Sequence, residues 1–216
     1  THRWLGHEYS VRFLRVAWSP DGIQLASGGD DGYIYVWNTA DGLLRQRLAG
    51  HQGLIRNVAW SPDSTRLVSV GGGREGGELF VWDVQREKRV QVLKGHPGII
   101  YAVAWVTSGE SGESRARLVT GGSDGTLRWW DVDNEECLWI RKAHHGTVQS
   151  LKCSPDGTKL ASCGDDGAIM LWNLRSGEHL QTLRRDRPYE RLNITGIRGL
   201  SDAQKETLRS LGAFEN

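Results

Sequence analysis

The sequence is poor in several residue types, and each shortage removes a class of protein. Only three cysteines occur (Cys137, Cys153 and Cys163), an odd number without the spacing of a disulfide framework, which favours a reducing cytosol. No apolar run reaches the roughly 18 residues that a membrane helix needs. The net charge of +1 provides no basic footprint for nucleic acid or for an anionic membrane. We therefore expect a cytoplasmic protein without nucleic-acid or membrane partners.

Two residue types are abundant. The chain has 28 glycines in 216 residues, and its ten tryptophans contrast with three phenylalanines. Frequent glycine indicates many tight turns, because glycine adopts positive φ angles at no steric cost. Large indole rings need a core or a binding surface to fill. Together these counts predict many short strands.

A repeat runs through most of the chain. Tryptophans followed by Asn or Asp recur at intervals of 45, 48 and 42 residues: Trp37, Trp82, Trp130 and Trp172. Histidines recur at intervals of 44, 45 and 48 residues, three of them after glycine: His7, His51, His96 and His144. A polar insertion from Ser108 to Ala116 accounts for the longest interval. Such a period is typical of arrays of small structural units.

Each repeat unit has the pattern of a small antiparallel sheet. Alternating runs such as Tyr33–Trp37 follow turn signals such as Asp31-Gly32. A unit contains about four such strands, too few to bury both faces of its own sheet. The units must therefore stack against one another.

The landmarks of the repeat resemble those of WD-repeat β-propellers. Gly-His, Ser-Pro-Asp-Gly, Asp-Gly and Trp-Asp recur in order through residues 1–184. The resemblance implies an all-β fold of four blades, each with four antiparallel strands, forming part of a larger ring. The predicted units are about 6–49, 50–94, 95–142 and 143–184. The first strand, within Thr1–Leu5, is expected to belong to a preceding blade, as in the C-terminal part of a longer chain.

The resemblance also implies a buried hydrogen-bond network in each blade. Its members are a histidine, a Ser or Thr, an Asp and a Trp: His7, Ser27, Asp31 and Trp37; His96, Thr120, Asp124 and Trp130; His144, Ser162, Asp166 and Trp172. The second blade offers His51, Ser69 and Trp82, but glycines replace its Asp-Gly turn, so we expect an incomplete network and a longer loop there. A reader searching for catalysis would find His/Ser/Asp sets here, yet their repetition indicates a device of the fold.

Propellers of this kind usually bind partners at one mouth of the ring. The residues that lead into the first strand of each blade are expected there: Arg12, Leu54, Arg56, Ile99, Tyr101 and Gln149. Arg and Tyr are enriched in interface hot spots. We expect the leading patch to lie across the second and third blades, with ordinary strand residues as the alternative.

Three sequence patterns could indicate a cofactor site or a catalytic site, but a structural role explains each of them better. Gly71, Gly73 and Gly76 satisfy G-x-G-x-x-G, but a strand rather than a helix follows them. Cys137, His144, His145 and Cys153 fit no compact zinc module. For an enzyme with a site at the channel mouth, the candidates are Asp30 and Asp165. We therefore expect no cofactor, no metal and no catalytic residue.

The repeat ends near Leu183, and a different pattern follows. Residues 185–200 are predicted to form a connector, and residues 201–212 a short amphipathic helix that docks on the propeller. Ser201 and Gln204 form a capping box at its start. The tail from Arg187 to Lys205 is similar to the C-terminal end of bacterial, especially cyanobacterial, multidomain signalling proteins that carry a nucleotide-binding switch domain. This resemblance implies a non-catalytic sensor or scaffold propeller with a protein or peptide partner and further blades; a purely structural assembly module is the alternative.

Overall fold

Four small antiparallel sheets make up most of the computed structural model, which describes residues 7, 15–73, 75–106, 117–184 and 192–215. The first sheet contains Arg15–Trp18 (β1), Gln24–Gly28 (β2), Tyr33–Asn38 (β3) and Leu44–Ala49 (β4). The second contains Leu54–Trp60 (β5), Arg66–Gly73 (β6), Gly76–Asp83 (β7) and Lys88–Val92 (β8).

The other two sheets repeat this order. The third contains Ile100–Val106 (β9), Arg117–Gly122 (β10), Thr126–Asp131 (β11) and Glu136–Lys142 (β12). The fourth contains Val148–Cys153 (β13), Lys159–Gly164 (β14), Ile169–Asn173 (β15) and His179–Leu183 (β16). In each sheet the strands are neighbours in chain order. The prediction of four blades with four antiparallel strands each, followed by a short helix, is confirmed.

The apolar core lies between neighbouring sheets. Ile34 and Val36 of the first sheet pack with Ile55 and Trp60 of the second, and similar clusters join the second sheet to the third and the third to the fourth. A fully buried aliphatic or aromatic side chain contributes roughly 1.5–3 kcal/mol. Because each cluster takes side chains from two sheets, stacking supplies the stability that one sheet lacks.

The second sheet corrects the prediction of a longer loop at residues 71–77. There β6 and β7 stay paired as far as Gly73 and Gly76, so the segment is a strand hairpin. An added methyl group on Gly71 would lie 2.1 Å from the Leu54 carbonyl oxygen, and one on Gly72 would lie 2.6 Å from Ile99 Cγ1. The glycines are needed because neighbouring segments approach this hairpin closely.

The chain divides into two compact units, one ending at Thr182 and the other beginning at Leu183. In the second unit, helix α1 (Asp202–Ser210) starts at Ser201, whose side chain forms the predicted capping box with Gln204. Ile194 is buried, and its backbone pairs with that of Phe214. Among the described residues, no helix has the length and apolar character that crossing a membrane requires. Docking of α1 on the propeller remains a prediction.

Some predicted features lie outside the described residues. They are the strand within Thr1–Leu5, Arg12, the insertion at 108–116 and the part of the connector at 185–191.

Candidate protein-interaction surface

The first strands of the four sheets lie side by side. β1 contacts β5, β5 contacts β9, and β9 contacts β13. Side chains join them as well: Arg15 Nε donates to the Arg56 carbonyl oxygen (3.2 Å), and Asn57 Nδ2 donates to the Tyr101 carbonyl oxygen (3.4 Å). The four first strands therefore form one continuous row across the sheets.

Arg56 and Tyr101 meet across the second and third sheets in this row. The guanidinium carbon of Arg56 lies 5.5 Å from the centre of the Tyr101 ring, within the range of a cation–π contact. Both side chains are half-buried. A planar cation held against an aromatic ring presents a preorganised surface, because less rotamer freedom remains to be lost on binding.

Two more of the predicted mouth residues lie at or next to the starts of the same two strands, β5 and β9. Leu54 pairs with Gly72 in the second sheet, and Gly72 is in contact with Ile99. Gln149 is on the fourth sheet, where its Nε2 donates to Asp165 Oδ1 (2.7 Å). The structure thus brings together Leu54, Arg56, Ile99 and Tyr101.

A chain of hydrogen bonds also crosses each sheet. In the fourth sheet, Trp172 Nε1 donates to Ser162 Oγ (3.0 Å), His144 Nε2 lies 2.8 Å from the same oxygen, and His144 Nδ1 lies 2.9 Å from Asp166 Oδ1. The carboxylate can only accept, so Nδ1 carries the proton and the serine hydroxyl donates to Nε2. Equivalent chains join His7, Ser27, Asp31 and Trp37, and His96, Thr120, Asp124 and Trp130.

The second sheet completes its network with a residue that sequence reasoning missed, so the expectation of an incomplete network was wrong. Trp82 Nε1 donates to Ser69 Oγ (2.8 Å), which lies 2.6 Å from His51 Nε2, and His51 Nδ1 lies 2.9 Å from Glu78 Oε2. Glu78 stands four residues before Trp82, whereas Asp31 stands six before Trp37. The glutamate side chain is longer than that of aspartate and therefore still reaches the histidine from this different position. An acidic residue at the start of the following strand was the available signal.

Burial and hydrogen bonding shift the pKa values of several groups in the second, third and fourth networks. Burial raises the pKa of Glu78, but hydrogen bonds from His51 and the Gln52 amide outweigh it and hold the pKa below its ordinary value. Asp124 and Asp166 have lowered pKa values for similar reasons. Burial lowers the pKa of His96 to about 4, against the opposing charge of Asp124. In the third network, a carboxylate with a lowered pKa thus faces an imidazole with a lowered pKa.

The geometry gives these sets a structural role. The Ser69, Thr120 and Ser162 hydroxyls are buried and hydrogen-bonded to both an indole and an imidazole, so they join strands. Asp165, a candidate for a site at the mouth, accepts from Gln149 and from the Thr147 amide. In the described part of the chain, no group of three His, Cys, Asp or Glu side chains is placed to hold a metal ion.

A four-stranded sheet that is crossed by such a network and packs on its neighbour through an apolar cluster is the blade of a WD-type β-propeller. The WD40 family profile, described as "WD domain, G-beta repeat", matches residues 1–38, 42–83, 87–131 and 135–173. The chain belongs to this family.

Several animal proteins are similar to this chain. Actin-interacting protein 1 of Drosophila melanogaster is 31% identical over 174 residues, which cover 79% of this chain and 28% of the relative. WD repeat-containing protein 1-A of Xenopus laevis is 29% identical over 179 residues, or 82% of this chain and 28% of the relative. The human U5 small nuclear ribonucleoprotein 40 kDa protein is 39% identical over 64 residues, covering 30% of this chain and 18% of the relative. The chain thus matches less than a third of the length of each.

The family and its relatives identify the chain as a WD-repeat, β-propeller scaffold for protein interactions.

Proposed function

We propose that this propeller is a non-catalytic recognition module that binds a protein or peptide at the edge formed by Leu54, Arg56, Ile99 and Tyr101. The contact of Arg56 with Tyr101 carries the proposal. Two hot-spot residue types are held together on adjacent blades, with half-buried apolar side chains beside them.

The relatives support a macromolecular partner. One is named for its interaction with actin, and another is a component of a ribonucleoprotein. Together with the net charge of +1, this favours a protein or peptide over nucleic acid as the partner of this chain.

A peptide library displayed on phage and selected against the chain tests the proposed edge. Selected peptides should bind the wild type and lose at least about tenfold in affinity for an Arg56→Ala/Tyr101→Ala variant, because truncated hot-spot residues cost more than 1.4 kcal/mol or so. Thermal unfolding should change little. The matched control is Arg86→Ala/Val90→Ala, which removes an exposed arginine and an exposed apolar side chain from the β7–β8 turn and β8.

If the selected peptides bind the Arg56→Ala/Tyr101→Ala variant as tightly as the wild type, the binding site lies on another face. Failure to enrich any peptide would instead favour a purely structural assembly module.

We further propose that the chain serves as the cytoplasmic C-terminal sensor or scaffold of a larger bacterial signalling protein, in which partner binding shifts the conformational equilibrium of other domains. The similarity of the tail from Arg187 to Lys205 supports this context. Sequencing the gene that encodes residues 1–216, together with its upstream region, tests this proposal. A nucleotide-binding domain encoded upstream is expected, and a frame that encodes further WD repeats alone would contradict it.

A further inference from the structure

The first strands of the blades, and the segments that lead into them, contain basic residues but no acidic ones. In the second, third and fourth blades these stretches are residues 50–60, 94–106 and 143–153, and none of them contains Asp or Glu. Histidines apart, their charged residues are Arg56, Lys94 and Lys152. The row that β5, β9 and β13 form is therefore positively charged, although the net charge of the whole chain is only +1.

Acidic residues of the same blades lie on a different element, the turn between the second and third strands. Asp124 accepts a hydrogen bond from His96, and Asp165 accepts one from Gln149, each within its own blade. Glu75 is exposed at the tip of the β6–β7 hairpin, three residues beyond the Gly72 that pairs with Leu54. The positive charge of the first strands is thus separated by element from the acidic turns.

Arg56 lies in the middle of this basic row and is held by both neighbouring blades. Its guanidinium carbon is 5.5 Å from the centre of the Tyr101 ring, and its backbone carbonyl oxygen accepts from Arg15 Nε (3.2 Å). The second and third sheets each contact a sheet of this chain on both sides. The position of Arg56 and Tyr101 is therefore inside the array of blades and not at either end of it.

The side chains around Arg56 favour one kind of ligand. A guanidinium binds a carboxylate through two parallel hydrogen bonds, and such charge-assisted bonds are stronger than those between neutral groups. Leu54 and Ile99 are half-buried at or next to the starts of β5 and β9, and they offer apolar surface beside the cation. This combination fits a carboxylate that is followed or preceded by an apolar side chain.

We infer that the peptide segment bound at the edge formed by Leu54, Arg56, Ile99 and Tyr101 is acidic, and that an Asp or Glu carboxylate of the partner binds the Arg56 guanidinium. An aliphatic or aromatic side chain next to that carboxylate packs on Tyr101 and Ile99. The other basic residues of the row attract the segment before contact and speed its association. The inference rests on the proposed binding edge and adds the chemistry of its partner.

Three phage libraries that differ only in one central position, fixed as Glu, Gln or Lys, test the inference. Selection against residues 1–216 should enrich the Glu library most. A synthetic peptide from that library should lose at least about tenfold in affinity when its fixed Glu is replaced by Gln, because the charge-assisted contact is lost.

A double-mutant cycle then assigns the contact to Arg56. Arg56→Gln should bind the Glu peptide at least about tenfold more weakly than the wild type does, but should bind the Gln peptide about equally, because the lost contact is shared by the two changes. Arg56→Glu should prefer the Lys form of the peptide. Arg86→Gln, at an exposed arginine of the β7–β8 turn, is the matched control and should leave the affinity unchanged. A thermal melt of each variant checks that it is folded.

The outcomes separate this inference from the proposed function. Peptides that bind the Arg56→Ala/Tyr101→Ala variant more weakly than the wild type, but have equal affinity with Glu, Gln or Lys, would keep the binding edge and overturn the acidic partner. Additive losses in the cycle would assign the carboxylate to another residue and overturn it too. A phosphoserine that binds at least about tenfold more tightly than the Glu would make phosphate the preferred group, with the same consequence. Peptides that bind that double variant like the wild type, or no enrichment in any library, would overturn the edge and the inference together.

Discussion

The repeated tryptophan of each third strand performs two tasks at once. In the second, third and fourth sheets its ring packs in the cluster shared with the preceding sheet, and in all four its N–H is the first donor of the network that ends on a carboxylate. Indole suits this position because a large apolar surface and one buried donor are needed together. Phenylalanine supplies the first property alone.

Trp172→Ala tests both tasks in the fourth sheet. Trp172 is buried, packs against Trp129 and donates to Ser162. We expect a loss of about 3–5 kcal/mol in the free energy of unfolding, as for other aromatic-to-alanine changes in cores. Trp172→Phe should lose less, since most of the ring remains. Denaturant unfolding measures both values, with the exposed Leu43→Ala as a control expected within about 0.5 kcal/mol of the wild type. A loss for Trp172→Ala no larger than that control would contradict the buried role.

His96 should link stability to pH. Burial lowers its pKa in the folded state to about 4, from an ordinary value of 6.5. As the pH falls from 6.5 to 4, the unfolded chain binds a proton that the folded chain does not, so the free energy of unfolding decreases, by about 3 kcal/mol at most. Above pH 6.5 this contribution is constant. Urea unfolding at several pH values should show a shallower dependence for His96→Gln than for the wild type.

His145→Gln is the matched control for this measurement, because His145 is exposed. Its pH dependence should be closer to that of the wild type. Parallel curves for the wild type and His96→Gln would show that another group controls stability in this range.

At the scale of elements, the outer strand of three sheets carries basic residues along an unpaired edge. The pairs are Arg45 and Arg47 in β4, Lys88 and Arg89 in β8, and Arg141 and Lys142 in β12. Charged side chains at a sheet edge discourage pairing with another chain. Two of these arginines also cover aromatic rings: the guanidinium carbon of Arg47 lies 3.8 Å from the Tyr33 ring centre, and that of Arg89 lies 4.6 Å from the Phe80 ring centre.

The glycine hairpin of the second sheet should tolerate a methyl group at one position better than at another. At Gly71 the added carbon would meet the backbone oxygen of Leu54 at 2.1 Å, whereas at Gly73 the nearest atom is the Glu78 side-chain oxygen at 2.9 Å. A side chain moves more readily than a strand, so Gly71→Ala should lose about 1–3 kcal/mol and Gly73→Ala less. Comparing the two denaturant midpoints checks this order, and equal losses would contradict the close backbone approach.

The sequence predicted the four sheets better than the hydrogen bonds that some of their residues form within and between the sheets. The spacing of Trp37, Trp82, Trp130 and Trp172 predicted the four sheets because a repeat states the same structure four times. Glu78 was missed because its position depends on how far β6 and β7 stay paired, which is a property of packing against neighbouring segments. The hydrogen bonds from Gln46 and Gln91 to carbonyl oxygens of the next blade were missed because an exposed strand glutamine reads as a solvated residue until the next sheet is in place.

At the scale of the whole propeller unit, contacts between sheets join the first to the second, the second to the third and the third to the fourth. Stability in such an array is approximately a sum over units and the interfaces between neighbours. The second and third sheets each have two neighbours in the chain. The first and fourth have one each, so their local stability should be lower.

Hydrogen exchange of residues 1–216 can measure this difference. Amides in the central strands of the middle sheets (β6, β7, β10 and β11) should exchange more slowly than those of the end sheets (β2, β3, β14 and β15). Because the middle sheets have one junction more, we expect at least about a tenfold difference in protection, equivalent to about 1.4 kcal/mol. Uniform protection across the four sheets would mean that the unit unfolds as one block, and stacking would then not determine local stability.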